Sequence, residues 1–147
     1  MIAAVLLDRA VKCLVVTEMA QGESIPVISG FFHITYIRNT GAAFSLFSSH
    51  TWMLSIFTAV LIAAGLVFMT LKRKTGSKFM LASVALIVGG GIGNLIDRVC
   101  LGYVVDMFDL KFFAVFNVAD IFVCAGCVML CIYVLFIDGK NDKRKRI

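Results

Sequence analysis

Three stretches of this chain, residues 52–71, 79–96 and 121–137, contain no Asp, Glu, Lys, Arg or His. At 1.5 Å per residue, helices of that length match a hydrocarbon core of roughly 30 Å. Inside lipid every backbone N–H and C=O must find a partner within the chain, which restricts such stretches to helices. The last one lengthens if it begins near Val118. Residues 1–19 are also apolar, apart from Asp8, Arg9, Lys12 and Glu18. This segment lacks the basic start of a cleavable signal peptide and carries its charges mid-run. It is expected to form a fourth span of marginal length, with its polar stripe turned toward protein.

Composition points the same way. The chain has 147 residues, 61% hydrophobic and only 16% charged, with 13 Phe and 1 Pro. A soluble domain of this size still exposes about a third of its unfolded surface and could not hide so much apolar area. Disordered chains are poor in aromatics, so disorder is excluded too. The net charge of +5 is no sign of nucleic acid, because the basic residues cluster at the ends of apolar runs. Cys124, Cys127 and Cys131 lie within an apolar run, where they are expected to pack as small hydrophobes. His33 and His50 stand alone, and neither a metal nor another cofactor is expected.

Lys and Arg set the orientation. Lys72, Arg73, Lys74 and Lys78 flank one connection, and Lys140, Lys143, Arg144, Lys145 and Arg146 fill the tail. The other two connections hold only Arg38, Arg98 and Lys111. The excess positions the 72–78 loop and both termini in the cytoplasm, with residues 20–51 and 97–117 outside. Within the outer segment 25–47, Phe32, Ile34 and Tyr36 alternate with His33, Thr35 and Ile37, a strand pattern. Asn39-Thr-Gly41 makes a turn, and Ala42-Ala43-Phe44 a short return. The expected fold is an α-helical integral membrane protein forming one domain over 1–147. It has four transmembrane helices (about 1–19, 52–71, 79–97 and 118–137), a small extracytoplasmic β-sheet, and a short surface helix or loop before the fourth helix.

Several polar residues interrupt this pattern. Asn94 and Arg98 lie four apart on one helical face, after the glycine run Gly89, Gly90, Gly91 and Gly93, in which Gly89-x-x-x-Gly93 is a close-packing face. Asp97 points to another side. Asp106 lies in the outer connection and Asp120 at the outer start of the last helix, beside Asn117. Topology brings the two carboxylates to the same depth. Two close carboxylates in a low-dielectric site share one proton. The charged member can then activate water while the protonated one polarises a carbonyl, which suits amide hydrolysis without metal or covalent intermediate. A purely structural reading stands beside it, in which Asp120 caps the last helix and Asp106 is a solvated loop residue.

The runs Tyr36-Ile-Arg-Asn39-Thr-Gly41-Ala-Ala43-Phe44-Ser45, Gly90-Gly-Ile-Gly93-Asn94-Leu-Ile-Asp97-Arg98, Val104-Val-Asp106 and Phe116-Asn117-Val-Ala119-Asp120 resemble the signature blocks of the lipoprotein signal peptidase (signal peptidase II) family. Asp8 and Lys12 resemble its first-helix Asp…Lys pair. The resemblance implies a bacterial inner-membrane aspartic endopeptidase of four spans, acting near the outer face. Such an enzyme cuts the signal peptide from prolipoproteins just before a diacylglyceryl-modified cysteine. Asp106 and Asp120 become the catalytic pair, while Asn39, Gly41, Asn94, Arg98 and Asn117 bind substrate or orient that pair. Asp8 and Lys12 become a structural ion pair. Arg9 departs from the family pattern, which commonly has a neutral polar residue there.

The partners so implied are modified prolipoproteins and membrane lipids, with no nucleic acid and no obligate protein partner. The competing reading is a small four-helix proton-coupled transporter. That reading expects a carboxylate near the midplane and internal repeats. Here the acids collect at one boundary, and no repeat is visible. Which aspartate starts protonated is left open by the sequence.

Overall fold

The computed structural model describes residues 1–41 and 51–138. The return segment 42–47, His50 and the basic tail lie outside the described residues. Helix α1 (Ile2–Glu18) is followed by strands β1 (Ser24–Ile28) and β2 (Phe32–Asn39). Helices α2 (Thr51–Lys72) and α3 (Lys78–Leu101) come next, then strand β3 (Val104–Leu110) and helix α4 (Val118–Ile132), which continues as a π-helical stretch, Tyr133–Asp138.

Three helical segments, Trp52–Lys72, Lys78–Leu101 and Val118–Ile137, are long and apolar enough to cross a membrane. Helix α1 has 17 residues and carries charges, and its buried side chains are Ala4, Asp8, Lys12 and Val15. That spacing makes one stripe down a single helical face, so Asp8 and Lys12 do turn toward protein, while Glu18 at the helix end is exposed. Helix α3 starts at the Ser77 cap, whose hydroxyl accepts the Phe79 N–H at 3.3 Å. It runs beyond the expected end at 97 and stops at Gly102, which adopts φ 80° and donates its N–H to the Arg98 carbonyl. A left-handed residue is the usual way to end a helix, and glycine adopts it without strain.

Glycines let the neighbouring helices approach α3. A Cβ on Gly93 would lie 2.6 Å from Asp8 Oδ2 and 3.2 Å from the Ala119 Cβ, so α1 and α4 both press on this point. At Gly90 a Cβ would overlap the Ala119 carbonyl. The expected packing role of this run is therefore seen, and it extends past the Gly89/Gly93 pair to α4. The cysteines differ from expectation. Cys124, Cys127 and Cys131 are free thiols exposed on α4 and not packed into the interior.

The three strands form one antiparallel sheet in the order β1-β2-β3. Strand β3 was not foreseen: the connection expected to be a surface helix or loop is a strand, followed by a turn that bridges Phe116 back to Phe108. In β2/β3 the register pairs Ile37 with Asp106 and Asn39 with Val104, with an irregularity between Ile34 and Ile37. Ser24, Thr35 and Asp109 tie all three strands through side-chain hydrogen bonds of 2.8 and 2.9 Å. Beneath the sheet Tyr36, Val105 and Met107 pack on Val15 of α1 in a small buried core. Because β1 and β2 follow α1 while β3 follows α3, both connections lie on the same side of the helices.

Candidate active site

Helix α4 begins with a reciprocal cap. Asn117 is the N-cap; its Oδ1 accepts the Asp120 N–H at 3.0 Å, and its own N–H donates to Asp120 Oδ2 at 3.1 Å. The cap is thus Asn117 and not Asp120, while Asp120 is the third residue of the first turn, its charge favoured by the helix dipole. With its oxygen committed to the cap, Asn117 must turn its NH2 group inward. Nδ2 donates to Asp106 Oδ1 at 2.6 Å and to Asn94 Oδ1 at 3.0 Å.

Asp106 is a strand residue, only 2% exposed. Its Oδ2 accepts from Asn39 Nδ2 at 2.8 Å, and Asn39 is fixed in turn by the Gly41 N–H on its Oδ1 at 3.0 Å. Asn94 Nδ2 donates to Asp120 Oδ1 at 2.7 Å. All four carboxylate oxygens of the pair therefore accept one N–H. Burial pushes the Asp106 carboxyl up from 3.8 to about 6; the Asn39 and Asn117 hydrogen bonds oppose that rise and the charge of Asp120 adds to it.

Behind the pair lies an ion cluster. Lys12 Nζ stands 3.0 Å from Asp8 Oδ2 and 2.9 Å from Asp97 Oδ2, and donates to Asn94 Oδ1 at 2.9 Å. Arg9 reaches Asp97 Oδ1 at 2.6 Å. The same anions hold backbone: Ala119 N–H donates to Asp8 Oδ1 at 2.9 Å, and Val105 N–H to Asp97 Oδ2 at 3.1 Å. Asp8, Lys12 and Asp97 are each at most 1% exposed. Two cations and two anions close on one another, which is what makes burial of the charges tolerable.

A cavity of about 750 Å³ opens onto the pair; Asn39, Gly41, Asn94, Arg98, Asp106 and Asp120 are its polar lining. Ile121, Cys124, Ala125 and Val128 form an apolar wall at helical spacing down α4, and Phe112 and Phe113 form the rim. A second cavity, about 250 Å³ between α2, α3 and α4, shares Asn94, Arg98 and Asp120 with the first. The two carboxylates therefore sit at the head of an apolar groove, in a setting able to activate water beside a peptide backbone.

The structure joins Asn39, Gly41, Asn94, Asn117, Asp106 and Asp120 in one hydrogen-bond network, sets Arg98 in the cavity wall beside it, and puts the Asp8–Lys12 pair directly behind it. Two residues that sequence reasoning left without a partner, Arg9 and Asp97, complete the ion cluster. The signal for them was present: a charge in an apolar helix needs a counter-charge, and both residues lie in expected spans.

Apolar helices capped by a sheet, with paired carboxylates at the mouth of an apolar groove, define a membrane-embedded enzyme. The comparisons with known proteins narrow this. Residues 1–136 match the family model described as signal peptidase (SPase) II. The chain is 41% identical to the lipoprotein signal peptidase of Clostridioides difficile over 137 residues, covering 92% of this chain and 91% of that one. It is 43% identical to the lipoprotein signal peptidase of Caldanaerobacter subterraneus, covering 92% of each chain. A solved bacterial membrane enzyme, determined by the in meso method, superposes with a TM-score of 0.83 at 35% identity, covering 95% of this chain and 87% of that one. The chain belongs to the signal peptidase II family: it is a bacterial membrane protease that removes signal peptides. That membership sets the transporter reading aside.

Proposed function

We propose that Asp106 and Asp120 are the catalytic pair of an aspartic endopeptidase that releases the signal peptide from diacylglyceryl-modified prolipoproteins, cutting just before the lipidated cysteine. The observation that carries this reading is the pair itself, bridged by Asn117 and opening onto an apolar groove. The acyl chains remain in lipid against the α4 wall while the scissile peptide reaches the pair. One ionised aspartate takes a proton from water, and the resulting oxygen attacks the peptide carbonyl. The protonated partner donates to the carbonyl oxygen, and the leaving amine receives a proton as the intermediate collapses. Arg98, whose rigid fork of donors faces the cavity, binds a substrate carbonyl. The turn at Asn39 and Gly41 bounds the cavity on the sheet side.

In this account α1 is the fourth span, its charged stripe covered by α3 and α4. The enzyme resides in the bacterial inner membrane with both termini in the cytoplasm and the sheet outside. The lysines and arginines around residues 72–78 support that orientation, as does the joining of both remaining connections in one sheet. The test is incubation of the purified protein with diacylglyceryl-modified and unmodified precursors, read by mass spectrometry. Cleavage of the modified form alone, immediately before the modified cysteine, is expected. Equal cleavage of both forms, or cleavage elsewhere, overturns the substrate assignment.

A further inference from the structure

The hydrogen bonds around the pair are not symmetric in charge. Asp120 lies in the first turn of α4, is only half-buried, and receives a backbone N–H that cannot reorient. Its other donor, Asn94, is polarised from behind. Lys12 can only donate, so Asn94 must present its oxygen to Lys12 and its NH2 to Asp120. Asp106 sits on a strand, which lacks an end dipole, is almost fully buried, and its hydrogen bonds come from neutral side-chain amides alone, so Lys12 reaches it only through space.

The buried charges point the same way. Lys12 and Arg9 from α1 are matched by Asp8 and Asp97. That leaves Arg98 of α3, among the described residues, as the remaining cation facing Asp106 and Asp120, and it is attracted by both carboxylates. From β2, Arg38 is taken up by the rings of Tyr36 and Tyr103. Helix α2 has no charged residue before Lys72 at its far end. Three cations thus face four carboxylates, and one proton balances the site.

Taking Asp106 and Asp120 as the catalytic pair, we infer that the shared proton rests on Asp106, that Asp120 is the anion that activates water, and that Lys12 is a positioning residue that fixes this order through Asn94. In the first step Asp120 takes a proton from water, the water oxygen bonds to the carbonyl carbon, and Asp106 gives its proton to the carbonyl oxygen. In the second the C–N bond breaks, the proton on Asp120 passes to the amine, and one hydroxyl of the intermediate returns a proton to Asp106. Both residues end as they began.

The order is tested by the pH profile of kcat/KM, whose acid limb then reports Asp120 and whose alkaline limb reports Asp106. Asn94→Ala leaves all four ions of the cluster in place and removes a donor to Asp120. Its acid limb is expected to move up by about one pH unit, the effect of one lost charge-assisted hydrogen bond. Its kcat falls about tenfold or more, with KM little changed. Lys12→Met moves the same limb in the same direction and, because the Lys12 charge also attracts Asp106, the alkaline limb up as well. Asn39→Ala removes a donor to Asp106 and moves the alkaline limb up instead. Exchange of the two limbs between variants, or limbs that stay put in both, overturns the inference. Carbon-13 NMR of the wild-type aspartate carboxyls gives a second reading, in which Asp106 titrates at the higher pH; Asp120 titrating higher overturns the order. Loss of the catalytic assignment itself is distinguishable, because Asp106→Asn or Asp120→Asn would then retain cleavage.

Discussion

Asn117 touches both carboxylates at once: its side-chain amide donates to Asp106 at 2.6 Å and its backbone N–H to Asp120 at 3.1 Å. The residue that starts α4 therefore also sets the spacing of the pair. Local helix capping and site geometry are one device.

This predicts a separation of stability from activity. Asn117→Ala loses the cap, at a cost of about 1 kcal/mol, and also releases Asp106. Asn117→Ser restores a hydroxyl able to accept the Asp120 N–H but too short to reach Asp106. Thermal unfolding in detergent should show Asn117→Ser recovering most of the cap's contribution, while cleavage stays as low as in Asn117→Ala. Recovery of both would show that Asn117 serves the helix alone.

The raised Asp106 carboxyl predicts a pH dependence of stability. The folded protein holds this proton up to about pH 6, whereas the unfolded chain releases it near 3.8. Asp106 therefore favours folding least once the pH has risen through 6, where its buried charge costs on the order of 3 kcal/mol. Asp106→Asn removes that cost. Its Tm relative to wild type should climb between pH 4 and 7 and then level off. A difference independent of pH would contradict the burial argument.

The ion cluster predicts strong coupling. Asp97→Asn leaves Arg9 and Lys12 with one anion between them and loosens Val105, the neighbour of Asp106. Removing one partner of a buried ion pair costs about 3–5 kcal/mol. Arg9→Gln with Asp97→Asn restores the balance and should recover part of that loss. A double-mutant cycle of unfolding free energies measures the coupling, expected at about 1–3 kcal/mol. Additive effects would show that Arg9 is only a surface neighbour.

The glycines predict a graded series on one helix. Gly93→Ala drives a methyl toward Asp8 Oδ2, into a space held by two other helices. Overpacking of this kind costs about 1–3 kcal/mol, and here it also displaces the ion pair behind Asn94. At Gly91 the nearest atom is the flexible Ile62 side chain at 3.3 Å, which can yield. Gly91→Ala should remain active and within about 1 kcal/mol of wild type, and Gly93→Ala should lose both activity and yield. Purification and cleavage assays of the two variants decide it.

Much of this arrangement could be read from the residues. The long uncharged runs announce α2, α3 and α4 because lipid permits no alternative to a helix there, and the alternation from Phe32 to Ile37 announces β2. Asn94 and Arg98 were legible as one face because four residues make about one turn. Strand β3 was not read, since Val104 to Leu110 carries one aspartate among apolar residues on each face and is buried almost throughout, which leaves no period of two. The Arg9–Asp97 pair was missed for another reason. Its members are 88 positions apart in the chain, and only the packing of α1 on α3 brings them together. The link from Lys12 to Asn94 to Asp120 is of the same kind: each residue was visible, and their sequence of contacts was not.

The most direct test of the catalytic pair is cleavage of a diacylglyceryl-modified precursor by wild-type enzyme, Asp106→Asn and Asp120→Asn under identical conditions, with unfolding curves recorded alongside. Both variants should remain folded and fall in rate by roughly 10²–10⁴, the ordinary contribution of a positioned acid or base. A folded variant of either kind that still cleaves within a few-fold of wild type would contradict the account.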